Sequence, residues 1–372
     1  MKPRTWWRIF WMLPLLVLLS GCWSNRPVEE RALVLAVGFS PASAGKVRVT
    51  IQIPTRTGLT SLAGASGGGT VGAQVYSLSA TGLTPGAAIT RLQGEAQTDI
   101  YLGQVQLLVF STRLSRQQMM LTQDFLTRLA PMDKTAYVVA TPSVQQFFHT
   151  DTASGLIAPL ALASGFGCRN CITINYQQTQ WDLEMSVPTP GTSIWMPYVE
   201  PTPTGFQTDR ILVYRGLTPV WALPPDDTIL FGYVVGRTGK GYLSFKTGGD
   251  TVGFRTIVAH PHVSAKVMDG RLVLRFDLPM TGTLDTWTGP PLDPQMDQEL
   301  EHQVDQYLAA HILAMLQRLQ EDGSVPGNDW LAPLIWRSEP GWKNAATWEA
   351  EYQAAKLIVH VHFRLVNVGD ML

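Results

Sequence analysis

An apolar stretch of 11 residues, Ile9 to Leu19, runs into Leu19-Ser20-Gly21-Cys22 and fixes where a folded body can begin. Lys2, Arg4 and Arg8 flank it on the N-terminal side, with no acidic residue among them. A basic start, a short apolar core and small residues at its end are the layout of an export signal. A helix needs ~20 residues to cross a bilayer, so this stretch does not suit a permanent span. Small Ser20 and Gly21 fit the narrow pocket of a signal peptidase, and a thiol at the next position can carry a lipid. Signal cleavage between Gly21 and Cys22, with lipid attachment at Cys22, is therefore expected. An ordinary cleaved leader followed by a chance cysteine is the plainer alternative. Each buried methylene contributes roughly 0.8 kcal/mol, so a stable anchor takes more than one acyl chain.

Cleavage would leave 351 of the 372 residues, enough for two or three domains. The leader holds three of the 28 Lys and Arg and none of the 29 Asp and Glu, so the remainder is 25 minus 29, or −4. With no basic stripe and only 15% charged residues, nucleic acid is not an expected partner. Beyond Cys22, the cysteines are Cys168 and Cys171, spaced Cys168-Arg169-Asn170-Cys171. That spacing suits a local disulfide, a redox motif or half a zinc site. The Gly-rich surroundings and the lack of a second pair favour a structural role, with a small disulfide if oxidised.

The chain reads as mixed helices and strands. Ala32 to Phe39 and Val47 to Ile53 are expected strands, the second with Val47, Val49, Ile51 and Ile53 on one face and Arg48, Thr50 and Gln52 on the other. Thr57 to Gly72 is a Gly/Ser/Ala-rich loop. Strands near Gln74 to Ala80, Tyr101 to Phe110 and Tyr137 to Ala140 alternate with helices from Thr84-Pro85, Ser115 and Thr141-Pro142. Between Val187 and Thr204 five prolines impose extended or irregular backbone. Ile211 to Tyr214, Thr218 to Leu223, Ile229 to Val235 and Tyr242 to Phe245 read as short strands. Asp269-Gly270 joins Phe254 to Met268 and Arg271 to Leu278 as a hairpin. Asp293-Pro294 then opens the longest helix, with Leu300, Val304, Leu308, Ile312, Met315 and Leu319 at three- and four-residue steps over about 40 Å. A shorter helix near Trp342 to Tyr352 and an alternating strand, Leu357 to Arg364, close the chain. The expected fold is α+β, with three mixed α/β domains and largely antiparallel sheets. The expected boundaries are a signal over 1–21, an N-terminal domain over 22–150, a β-rich middle domain over 151–247 and a C-terminal domain over 248–372.

The segment Cys22-Trp23-Ser24-Asn25-Arg26-Pro27-Val28-Glu29-Glu30-Arg31-Ala32-Leu33-Val34, followed by Val37-Gly38-Phe39, resembles the mature start of the Ger(x)C family. The run Gln123-Asp124-Phe125-Leu126-Thr127-Arg128 resembles that family's Asp-Phe-Leu-x-Arg helix. Arg210 to Gly232 resembles its middle segment. The order of long helix, Gln320, Pro340-Gly341-Trp342-Lys343, Trp348 and final strand resembles its C-terminus. The resemblance covers nearly all of the chain. It implies a fold of three α+β domains without enzymatic activity. It also implies a C subunit of a spore nutrient germinant receptor, lipid-anchored on the outer face of the spore inner membrane. Its implied partners are the receptor's A and B membrane subunits.

Other constellations carry little chemistry. The pairs His260-Pro261-His262 and His360-Val361-His362 each place two imidazoles on one strand face. Four of them would suit a transition metal if the strands were neighbours. Solvent-facing or hydrogen-bonded histidines are the simpler expectation, so no metal ligand is assigned. No His-Glu-x-x-His run occurs, and Gly67-Gly68-Gly69 lacks the Lys-Ser/Thr of a phosphate loop. Glu299 and Glu301 suit the positive end of the long helix better than an acid/base pair. No catalytic residue and no cofactor are expected. Trp330, Trp336, Trp342 and Trp348 recur at six-residue steps, and Trp336 and Trp342 are candidate partner contacts, with core packing as the alternative. Beside the receptor subunit stands a second hypothesis, a stand-alone extracytoplasmic lipoprotein that binds a small ligand.

Overall fold

The structure, a computed structural model, describes residues 31–55, 75–128, 132–152, 156–168, 176–187, 192–237, 242–323 and 345–367. In chain order these residues form β1 (Arg31–Leu33), β2 (Ala36–Pro41), β3 (Val47–Pro54), β4 (Val75–Gly82), α1 (Pro85–Ala96), β5 (Asp99–Tyr101) and β6 (Leu107–Ser111). Next come α2 (Arg116–Arg128), β7 (Tyr137–Thr141), α3 (Val144–Phe148), α4 (Ala158–Gly167), α5 (Gln180–Ser186), β8 (Trp195–Thr202), β9 (Gly205–Arg215) and β10 (Thr218–Ala222). The last elements are α6 (Pro225–Val234), β11 (Leu243–Thr247), β12 (Asp250–Ala259), β13 (His262–Met268), β14 (Arg271–Trp287), α7 (Pro294–Glu321), α8 (Ala345–Ala354) and β15 (Lys356–Asn367). The expected α+β class is what the structure has.

An eight-stranded sheet runs β10-β9-β8-β7-β6-β2-β3-β4. Its centre, β2-β6-β7-β8, is parallel, and its flanks are antiparallel. Parallel strands need cover on both faces. The residues of β6 are accordingly all buried. On one face Val37, Phe39, Leu108 and Val138 pack against Ala88 and Leu92 of α1, Leu126 of α2 and Leu183 of α5. On the other, Ala36, Leu107 and Val139 pack against Phe147 of α3 and Leu162 of α4. The strands β8, β9 and β10, expected in a separate middle domain, extend this sheet. Pairing of Tyr198 with Ala140 carries it across.

A second sheet holds β11-β12-β14-β13, with β15 parallel to β14 on its other side. The Asp269-Gly270 turn is a hairpin as expected, with φ of 51° and 73° at the two residues. His260 and Pro261 interrupt the long partner of β14 without changing its register, since Ala259 faces Met280 and His262 faces Asp277. One face of this sheet covers α7, whose Leu300, Val304, Leu308, Ile312 and Leu319 are buried as their spacing requires. Asp293 caps that helix by accepting from the N–H groups of Gln295 and Met296. Arg318 of α7 lies over the Trp221 ring of β10, 3.7 Å from its centroid, and ties the second sheet's helix to the first sheet's edge.

Several expectations change. Ile229 to Val235 is not a strand but most of α6. Pro225 occupies its first turn with Asp226 and Asp227, which favours a helix start. Thr228 to Val234 are buried all round, so no amphipathic period marks them as helical. Tyr101 to Phe110 splits into β5 and β6, and Ala32 to Phe39 splits into β1, which pairs with β5, and β2. Two helices, α4 and α5, occupy a stretch to which the sequence assigns no element. The second is fixed by a capping box between Thr179 and Asp182.

Candidate functional site

Two places gather polar side chains from different strands. The first is a cleft of about 500 Å3 above β3 and β4, beside α3. The alternation of β3 turns Arg48, Thr50 and Gln52 toward it, as expected, with Ser77 and Ser79 opposite them on β4. Gly38 brings α3 close on the β2 side. A Cβ there would sit 2.3 Å from Val144 Cγ1 and 2.8 Å from Phe148 Cε2. Within the cleft the hydroxyls of Thr50 and Ser79 are 2.8 Å apart. Gln52, 2% exposed, donates through Nε2 to the Phe148 carbonyl at 3.4 Å. Its Oε1 is buried without a hydrogen-bond partner. His149 and Asp151 stand exposed at the rim.

The second surface is the open face of the second sheet. His262, Asp277 and His360 form one row across β13, β14 and β15, with His360 Nδ1 3.4 Å from Asp277 Oδ1. His362 faces Pro279 in the next row, and His260 donates its backbone N–H to the Pro279 carbonyl. The four imidazoles therefore share one region, but β14 separates the two strands that carry them. Among the described residues no group of three or more His, Cys, Asp or Glu is placed to hold a metal ion.

Other predicted residues fall into structural roles or outside the description. Cys168 is disulfide-bonded. Gly21, Cys22, Gly67 to Gly69, Cys171, Trp330, Trp336 and Trp342 lie outside the described residues. Trp348 lies within α8. Glu299 accepts from Gln303 Nε2 one turn on, and Glu301 accepts the backbone N–H of Leu365 at 2.8 Å. Asp124 and Arg128 of the Asp-Phe-Leu-x-Arg run form an exposed ion pair at 2.7 Å, while Leu126 is fully buried. An exposed pair of this kind adds little, so the run acts mainly through its apolar members. Gln320 donates from Nε2 to the carbonyls of Tyr352 at 2.6 Å and Ala355 at 2.9 Å, joining α7 to the turn between α8 and β15. Sequence reasoning missed the roles of Gln52, Asp305 and Glu301, because each works through a partner distant in the chain.

The model of the spore germination protein N-terminal domain matches residues 24–201, which reach from just after Cys22 into β8. Residues 24–201 are thus a spore germination protein N-terminal domain. The chain is also similar in fold to a solved structure described as the GerBC protein. That likeness covers 89% of this chain and 97% of the other at a TM-score of 0.57, with 14% sequence identity. At that identity the likeness speaks for the fold, which extends past the matched domain through the second sheet. No curated protein matches the chain. Among the described residues, no helix is long and apolar enough to cross a membrane.

Proposed function

We propose that this chain is a Ger(x)C protein, the lipid-anchored C subunit of a spore nutrient germinant receptor. In this reading it is held on the outer face of the spore inner membrane and works by docking with the A and B membrane subunits, not by catalysis. The observation that carries the reading is the domain match over residues 24–201, which starts two residues after the cysteine of the lipid signal. The short apolar core before Cys22 supports export and tethering over a transmembrane span. Trp336 and Trp342 remain candidate contacts for the membrane partners. Deletion of the gene in the spore-former tests the role, with impaired nutrient-triggered germination expected. Normal germination with every nutrient, in a strain without a paralogue, overturns it. Mass spectrometry of the mature N-terminus tests the anchor, with diacylated Cys22 expected.

A second reading has one observation in its favour. The cleft falls within the size range of small-ligand sites, and the unused Gln52 Oε1 offers a buried acceptor to a ligand N–H or O–H. A stand-alone binding lipoprotein would use that cleft. Genes for a multi-spanning membrane subunit and a second receptor subunit alongside favour the first reading. A permease and ATPase alongside favour the second.

A further inference from the structure

The open face of the second sheet differs in charge from the rest of the molecule. β14 turns its even-numbered residues from Leu272 to Leu284 into the core under α7 and its odd-numbered ones outward. On that outward side Lys266, Arg275, Lys356 and Arg364 are all exposed, in rows set by the pairing of β13, β14 and β15. Arg271 is a fifth cation, in the Met268 row, and Asp277 is the single carboxylate in those rows, so the permanent charge is 5 minus 1, or +4, before any of the four imidazoles is protonated. The chain after the leader carries −4, so this face is opposite in sign to the whole.

Apolar side chains accompany the cations. Val273 sits between Lys266 and Lys356, and Ile358 sits beside Arg275. At the hairpin end Met268 is 58% exposed, two residues from Lys266; at the opposite end Val366 is 67% exposed, two residues from Arg364. Cations whose stems lie along apolar groups suit a lipid boundary, where the stem is buried and the charge meets phosphate. An acidic protein face would match the charge but would leave Met268 and Val366 without a purpose.

We propose that this sheet face rests on an anionic phospholipid surface. It would orient the tethered body by a second, electrostatic contact, and in that sense it builds on the lipid-anchored reading. The matching chemistry is phosphate headgroups for the five cations and the outer acyl region for Met268 and Val366. Each basic residue close to such a surface is worth about fivefold in affinity, and salt weakens the attraction.

The test is sedimentation of the full mature chain carrying Cys22→Ala with vesicles. One set contains phosphatidylglycerol in phosphatidylcholine, and the other is phosphatidylcholine alone. Binding to the first set only, weakened by salt, is expected. The combined Lys266→Glu, Arg275→Glu, Lys356→Glu and Arg364→Glu variant should lose at least about a hundredfold. A control with Arg116→Glu and Arg128→Glu on α2 should bind as before. Should the fourfold variant fail to fold, Lys266→Glu and Arg275→Glu singly should each lose about fivefold or more. Equal binding to both vesicle sets, no binding to the anionic set, or unchanged binding by the charge-reversed variants overturns the proposal. Retention on an acidic protein without vesicle binding assigns the face to a protein and also overturns it. Cys22 is absent from every arm, so failure here is distinct from failure of the anchor, which the N-terminal mass reports.

Discussion

Asp305 Oδ1 accepts the backbone N–H of Phe363 at 2.6 Å, reaching from a turn of α7 to the edge of β15 away from β14. One turn earlier Glu301 Oε1 accepts the N–H of Leu365 at 2.8 Å. Four helical residues rise about 6 Å and two strand residues about 6.6 Å, so successive turns of the helix meet successive outward amides of the strand. An exposed edge strand is a template for unwanted pairing, and these carboxylates occupy it.

Asp305→Ala should leave the Phe363 amide without its acceptor and cost about 1–3 kcal/mol in denaturant unfolding. Burial pushes the Asp305 carboxyl above its ordinary range, while the Phe363 N–H and the nearby His362 and His302 pull it back. Asp305→Asn keeps an acceptor and removes the half-buried charge, so it should cost less than the alanine variant. Amide hydrogen exchange at Phe363 and Leu365 checks the contact directly, with faster exchange expected in Asp305→Ala and Glu301→Ala.

Gln320→Ala should strip two carbonyls, those of Tyr352 and Ala355, of a shared donor. The expected cost is about 1–3 kcal/mol. Exchange should rise first in α8 and the start of β15, while α7, held by its apolar stripe, keeps its protection.

Gly38→Ala should drive a methyl into Val144 and Phe148, both packed in the core beneath α3. Overpacking of this kind costs about 1–3 kcal/mol. Displacing α3 would also move the Phe148 carbonyl away from Gln52, so a ligand that uses the cleft should bind more weakly to this variant.

Asp227→Asn should stabilise the protein at neutral pH and leave it unchanged in strong acid. Burial raises the Asp227 carboxyl above its ordinary 3.8, with Asp226 adding to the shift and Arg318 and His311 opposing it. Below 3.8 the carboxyl is protonated in both folded and unfolded chains and makes no difference. As pH rises past 3.8 the unfolded chain releases its proton first, so stability falls until the folded group also ionises. Thermal unfolding from pH 3 to 7 should therefore show a gain for the variant that grows with pH.

The sequence by itself determined the elements whose signal lies within one stretch of chain. The period and cap of α7, the Asp269-Gly270 hairpin, and the division of β3 into an apolar face and the Arg48, Thr50, Gln52 face are all local. Likeness to the Ger(x)C family was legible too, because short motifs in fixed order survive where overall identity is low. Tertiary structure alone decided that β8 to β10 extend the first sheet. Register is set by whatever strand lies alongside, and Tyr198 cannot name Ala140 as its neighbour from its own surroundings. It also decided α6, whose burial on all sides erases the helical period. The cleft around Gln52 and the clamp from Asp305 and Glu301 to β15 belong to the same class. Each joins residues from 58 to 96 positions apart, and only folding brings such groups within hydrogen-bond reach.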